Sequence, residues 1–351
     1  MSKNKPFDFF LLLCLCLVIA AGCSSPTSGG GGFVAVYEGG ELNHGSSAFA
    51  NSVYVSGGDV YVAGGHEYNA SGISVATLWK NGIAQSLTDG SRQAFTNSVY
   101  VSGSDVYVAG YEYNASGIRV AKLWTNGAAL SLTDGSRRAE ALSVYVTGDD
   151  VYVAGYEENA SRIYVATLWK NGIAQYAGGA IAGGTRDASA NSVYVSGGDV
   201  YVAGYEFNAS GRMVAKLWKN GIAQYAGDGI TNGDFTAQAN SVYVSGGIVY
   251  VAGGEENASG RMVANLWING TPQYGGDGIT NGDFIANANS VYVSSGDVYV
   301  AGYEFNASGI AVAKLWKNGA AQYGGSLSDG STIAMATSVF VSGSDVYVAG
   351  Y

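Results

Sequence analysis

Charge is scarce in this 351-residue chain. Asp, Glu, Lys and Arg together make up 13%, against roughly a quarter in an ordinary soluble domain. Proline is scarcer still, with 3 residues, and histidine occurs twice. The 3 cysteines, Cys14, Cys16 and Cys23, all lie near the start, so nothing downstream can form a disulfide framework or a cysteine zinc site. Lys and Arg number 17 against 27 Asp and Glu, a net charge of −10, and no basic run is visible. That balance speaks against a nucleic-acid partner. The apolar run from Phe9 to Ala21 has 13 residues, too few to span a bilayer comfortably. No segment carries a helical hydrophobic period over helix length. Glycine is abundant, with 54 residues and no collagen-like triplet, so it punctuates turns. An apolar share of 47% supplies material for a core and excludes a disordered chain.

The first residues read as an address. Lys3 and Lys5 form a positive segment, the apolar run follows, and Ala20-Ala21-Gly22-Cys23 leads into Ser24-Ser25-Pro26-Thr27-Ser28 and Gly29 to Gly32. Small residues ending on a cysteine resemble the lipobox of bacterial lipoproteins, with Ala20 where leucine is usual. The resemblance implies a signal peptide over 1–22, lipidation at Cys23, and a Ser/Gly-rich tether over 23–32. Acyl chains at that cysteine would anchor the protein stably in the cell envelope, in the outer membrane if the cell is Gram-negative. An ordinary secretory signal with an incidental cysteine is the plainer alternative.

The rest of the chain is a repeat. The string SVYVSGGDVYVAG, or a close variant, begins at Ser52, Ser98, Ser143, Ser192, Ser241, Ser290 and Ser338, at spacings of 46, 45, 49, 49, 49 and 48 residues. Between copies stands VAKLWKNG or a relative, carrying Trp79, Trp124, Trp169, Trp218, Trp267 and Trp316. Each unit reads as four short strands. Ser52–Val55 and Val60–Ala63 meet at a Gly-Gly-Asp turn, and Val75–Trp79 ends at Asn81-Gly82, a type I′ hairpin signal, before Ala84–Leu87. Four strands per unit of this length fit a β-propeller blade. The seventh copy stops at Tyr351 after two strands. The segment Phe33 to Gly40 aligns with VAKLWKNG, with Tyr37 at the Trp position. The expected architecture is therefore an all-β, seven-bladed propeller over 33–351, closed by N-terminal strands three and four pairing with C-terminal strands one and two.

Gly64-Gly65 and Gly253-Gly254, each with a Trp about 14 residues on, look kelch-like. Four other copies with that Trp read Gly-Tyr, and the usual kelch Tyr-to-Trp spacing is absent. The Gly-His and Trp-Asp marks of WD repeats and the sialidase Asp-box are absent too. The resemblance implies architecture and brings no catalytic residue with it.

In propellers generally, the long connections, from strand two to three and from blade to blade, emerge on one face, where binding groups gather. The first of these repeats a carboxylate, Glu67, Glu112, Glu157, Glu206, Glu255 and Glu304, predicting an acidic ring for a cation or basic partner, or simply a solvated surface. The second holds Asp228, Asn232 and Asp234, recurring as Asp277, Asn281 and Asp283. That set is a weak calcium pattern, lacking the twelfth-position Glu of an EF-hand, and is also ordinary turn chemistry. The Trp set reads as interblade core. The Asn-Ala-Ser copies at Asn69, Asn114, Asn159, Asn208, Asn257 and Asn306 read as Asx turns, and the Asp series from Asp59 as a turn former.

Catalysis needs unlike groups at one place, so departures from the repeat are the candidates: His44, His66, Arg92, Arg137, Arg138, Glu140, Arg186 and Asp187. They form no Ser/His/Asp set, metal cluster or phosphate loop. The expectation is a monomeric, non-catalytic binding module for a protein, peptide or glycan, anchored to a membrane, with no cofactor beyond the calcium considered above. The alternatives are a structural or display protein without a fixed small ligand, and a hydrolase or lyase on a propeller scaffold.

Overall fold

A computed structural model of the protein describes residues 19–20, 34–35 and 49–351, less 177–178, 183, 226–228 and 276. It is an all-β propeller of four-stranded antiparallel blades. The first blade comprises Phe49–Ser56, Asp59–Tyr68, Ser74–Lys80 and Ile83–Ser86, hydrogen-bonded in chain order. The following five repeat this order, numbered here along the chain. The type I′ reading of Asn-Gly holds in all six, from Asn81 (φ 49) and Gly82 (φ 77) to Asn318 (φ 51) and Gly319 (φ 81). Strands one and two run longer than the repeat string suggests. The second strand continues past Ala63 through Glu67 and Tyr68, because the extended chain goes on pairing with the third: Glu67 stands opposite Val75.

Six blades are complete from contiguous chain, and the expected seventh is the split one. The last hairpin, Ala336–Ser342 and Asp345–Gly350, stands between the sixth blade and the first. Beside Asp345–Gly350 lies Ile19–Ala20, and beyond it Val34–Ala35. The third-strand place therefore goes to Ile19–Ala20 and the fourth to Val34–Ala35, not to two strands from Phe33 onward. The open edge of Asp345–Gly350 offers backbone groups to any short extended segment, and two residues suffice to pair there. Tyr37, Cys23 and the tether lie outside the described residues.

One irregularity recurs in every first strand. The register shifts between Ala50 and Ser52, and at the same place in each later copy, leaving one extra residue. That residue, Asn51 in the first copy, turns its amide sideways and donates to Thr96 O of the next blade at 2.8 Å. Asn97, Asn191, Asn240 and Asn289 do the same, and Thr337 Oγ1 donates to Ala50 O at 2.7 Å, closing the circle. Leu142 is the one member that makes no such bond. Each following Val N–H donates to the Ser Oγ of the preceding blade at 3.1–3.3 Å, from Val99 on Ser52 round to Val53 on Ser338.

The bulge dictates a second position. In strand two, a Cβ on Gly64 would overlap Phe49 O, and Gly110, Gly155, Gly204, Gly253, Gly302 and Gly350 meet the matching carbonyl in their own blades. In the six complete blades these glycines lie within the second strand rather than ending it, which corrects their reading as turn glycines. Further along strand one, Tyr54, Tyr100, Tyr145, Tyr194, Tyr243, Tyr292 and Phe340 form a continuous circle of aromatic rings, neighbouring centroids 4.6–4.9 Å apart.

The core lies between blades. All six Trp are 0–3% exposed, and each packs on the blade before it, as Trp124 does on Ala63 and Leu78. On the tight-turn face, Asp59 accepts the Asn81 amide at 2.7 Å and the Lys80 ammonium at 2.7 Å, tying the two hairpin turns together. The fifth blade replaces Asp and Lys together, by Ile248 and Ile268.

Two substitutions test this account by chemical denaturation. Gly204→Ala is expected to cost about 1–3 kcal/mol by forcing strand one away. Asn240→Leu, copying Leu142, is expected to cost about 1 kcal/mol by leaving Ala288 O without its donor. Unchanged stability in the second variant would show that the lateral amides carry no load.

Candidate functional site

The long-loop face is built on the Asn-Ala-Ser turns. Asn69 Oδ1 accepts from the N–H groups of Ser71 and Ile73 at 2.9 and 3.1 Å, an Asx turn, while its amide donates to Gly90 O at 2.8 Å. Asn114, Asn159, Asn208 and Asn306 tie the two loops of their own blades in the same way. In the fifth blade the amide of Asn257 goes to Asp277 Oδ1 instead, at 3.3 Å. These asparagines position the face and are engaged in doing so.

Among the described side chains, three of the repeated glutamates are ion-paired rather than free. They sit in second strands, and alternation puts them on the same side as residue three of VAKLWKNG, whose side chain crosses over the bulge glycine. Where that residue is lysine, an ion pair results: Glu112–Lys122 at 3.2 Å, Glu206–Lys216 at 3.6 Å and Glu304–Lys314 at 3.2 Å. Blades three and five carry Thr167 and Asn265 there. Burial then pushes Glu157 and Glu255 above the ordinary carboxylate range, with Asp134 adding to the effect at Glu157. Asn265 Nδ2 donates to Glu255 at 3.3 Å, and its buried Oδ1 has no partner. The side chain of Glu67 lies outside the described residues.

The loops considered for calcium use their oxygens internally. Asn232 Oδ1 accepts from Asp234 N–H at 3.1 Å and its amide donates to the Asp234 carboxylate at 2.6 Å. Asn281 and Asp283 repeat this at 3.2 and 2.5 Å. Asp277 is taken up by Asn257, and Asp228 lies outside the described residues. Among the described residues no three His, Cys, Asp or Glu come together.

What the fold does bring together is a set of departures from the repeat, between blades two and three. Arg119 stands where the other third strands begin with Ser74, Tyr164, Met213, Met262 and Ala311. Its guanidinium pairs with Glu140 at 3.1 Å, donates to Tyr113 Oη at 3.0 Å and lies 5.1 Å from the Tyr111 ring. Glu140 also accepts from Tyr156 Oη at 2.6 Å and from the Asn97 amide at 3.2 Å. At the same junction lies a cleft of about 630 Å³, within the size of small-ligand sites (~300–1,000 Å³).

Three further arginines line the cleft, Arg137, Arg138 and Arg162, with Glu158 and Tyr164. All three arginines are exposed, and among the described residues none has a carboxylate within ion-pair distance. Asp134 and Glu157 lie near Arg137, and the Arg138 guanidinium lies beside the Tyr164 hydroxyl. Arg162 occupies a left-handed position, φ 63, that is Gly72, Gly117, Gly211, Gly260 and Gly309 elsewhere. A side chain there costs roughly 1–2 kcal/mol over glycine.

Of the residues singled out in the sequence, Arg137, Arg138 and Glu140 thus come together. Arg92, Arg186 and Asp187 lie in crossings between other blades, with Asp187 accepting from Tyr164 N–H at 2.9 Å. His44 and the side chain of His66 lie outside the described residues. Arg119 and Arg162 were not singled out, although a charged residue in a glycine place is a signal within the sequence itself.

No family model matches the chain, and no curated protein matches it. Solved structures match in fold. The acylaminoacyl peptidase of Pyrococcus horikoshii is 13% identical with a TM-score of 0.51, over 86% of this chain and 49% of that one. The sialidase of Trypanosoma rangeli, in complex with the inhibitor DANA, is 11% identical with a TM-score of 0.49, over 77% and 55%. The chain spans about half the length of each. Likeness at such identity shows the fold alone.

The glutamate geometry generates a prediction with opposite signs. A carboxylate whose folded pKa is raised favours the folded state below its unfolded pKa, and that advantage is lost as pH rises through the folded value. Glu255→Gln is therefore expected to match or exceed the parent in melting temperature at neutral pH, the difference closing in acid. Glu304→Gln is expected to cost up to about 1 kcal/mol at neutral pH by stranding Lys314. Equal pH profiles for the two variants would contradict the assignment.

Proposed function

We propose that this protein is a lipid-anchored, seven-bladed propeller of the cell envelope, kelch-like in its repeat, that binds its ligand without catalysis through the long-loop face. The observation that carries the binding role is the convergence of repeat departures on one cleft of that face. Repeat copies that serve only the scaffold have no reason to gather several charged departures at one junction, and loops held by a rigid ring are where recognition groups are best placed. The charged groups that line the cleft are Arg137, Arg138, Arg162 and Glu158. Nothing among them pairs a nucleophile with a base.

The anchor and the seventh blade belong to the same reading. Cleavage before Cys23 would remove Ile19–Ala20 with the leader. Residues 33–40 are then the segment whose sequence suits the vacated place beside Asp345–Gly350, with Tyr37 in the role that Trp316 fills in the sixth blade. The domain would act as a monomer on its tether.

Purified as expressed and kept in detergent, the protein is screened by thermal shift against glycans, peptides of either charge and divalent cations. A ligand at a hundredfold excess over its Kd stabilises by about 2.7 kcal/mol, an easily read shift. A ligand whose shift is lost in cleft variants is the expected result, whereas a flat panel from folded protein would favour a structural or display role. Cys23→Ala is expected to move the protein from the membrane to the soluble fraction. Retention there with an unlipidated mass would overturn the anchor.

A further inference from the structure

We propose that the cleft between blades two and three is an anion site, taking a carboxylate or phosphate group carried on a ligand of about sugar size. The proposal rests on the binding-module reading above and names its ligand class. Three guanidinium groups face the cleft against one carboxylate, Glu158, on a protein whose net charge is −10. The lysines are settled differently, whereas the cleft arginines, like Arg92, Arg186 and Arg212, have no ion pair among the described residues, and the cleft brings three of them together. Lys80, Lys122, Lys170, Lys216, Lys219, Lys314 and Lys317 each lie within 4.0 Å of an Asp or Glu on their own blade. The Arg261 guanidinium donates to Asp283 O at 2.9 Å.

The positions themselves carry the argument further. Arg138 is Gln93, Asp187, Thr236 and Ile285 at the other crossings, identified by the backbone bond each accepts from the end of its second strand. Arg137 has arginine counterparts in Arg92 and Arg186, but neither has a second and third arginine beside it. Arg162 displaces a glycine from a left-handed turn, so its side chain is present at a cost that the fold does not need. Guanidinium groups offer planar pairs of donors matched to carboxylate and phosphate oxygens, and their weak hydration favours this use over lysine. Tyr164 supplies a flat apolar wall with a hydroxyl at its edge, and Tyr156 holds that ring edge-on at 5.1 Å between centroids. The volume leaves room for a sugar ring beside the anion.

The test is calorimetric titration of the full protein in detergent with glucuronate, glucose 6-phosphate, inorganic phosphate and uncharged glucose, at low and at physiological salt. At least one anion is expected to bind, more weakly at higher salt, with glucose at least tenfold weaker. Arg138→Ala and Arg162→Gly are expected to lower that affinity tenfold or more. Arg212→Ala, in the matching loop of blade four, should leave it unchanged. Arg162→Gly restores the residue of the other copies, so its melting temperature should equal or exceed the parent's, and lost binding there cannot be lost folding. Equal affinity in the cleft variants, or glucose binding as well as the anions, would overturn the anion site. If instead a neutral glycan or a cationic peptide binds and the same variants abolish it, the anion class fails and the binding module stands. No binding by any of these ligands sinks both.

Discussion

One extra residue in the innermost strand of each blade sets most of this structure. The bulge bends the strand, frees a valine N–H to reach the serine of the preceding blade, and turns an asparagine amide onto the following one. It also presses a carbonyl against the second strand, where only glycine leaves room. The words of the repeat, Asn-Ser-Val in strand one and Ala-Gly in strand two, are therefore two halves of a single device. The tryptophans then fill the wedge-shaped gaps that the device creates between blades.

Electrostatics follows the same logic of local settlement. An acidic chain with few charges might be expected to present a field, yet most of its lysines answer a carboxylate on the same blade. Aspartate and lysine clamp the turns on one face, and glutamate and lysine cross the bulge glycine toward the other. Where the partner is missing, the carboxylate is held in place by the sheet and pays in desolvation, as Glu255 does. The arginines between blades two and three stand out against this background because three of them, none ion-paired, line one cleft.

Much of the fold was legible in the sequence because repetition multiplies weak signals. The Asn-Gly hairpins, the Val/Tyr strands and the buried Trp series all lie where the pattern puts them. The glutamates were misplaced because a strand boundary was drawn at glycine, a residue that here serves a close approach inside the strand. In the closing blade Ile19–Ala20 takes the third-strand place that the motif assigns to the segment from Phe33, because an open edge accepts segments without regard to motif. The site was half legible. Arg137, Arg138 and Glu140 stood out as exceptions, but only the folded ring shows that Arg119 and Arg162, from other parts of the repeat, meet them at one junction.

The serine-to-valine bonds all run in one direction, so every blade offers a donor to one neighbour and an acceptor to the other. Any two units cut from different places in the ring therefore carry complementary ends. At the level of the gene, duplication or loss of a whole repeat would join ends that already fit, without compensating change elsewhere. What resists such drift in number is curvature, because the circle of tyrosines at the axis stays in contact only at one circumference. Length variation among alleles should then come in whole repeats and be limited by that inner circle.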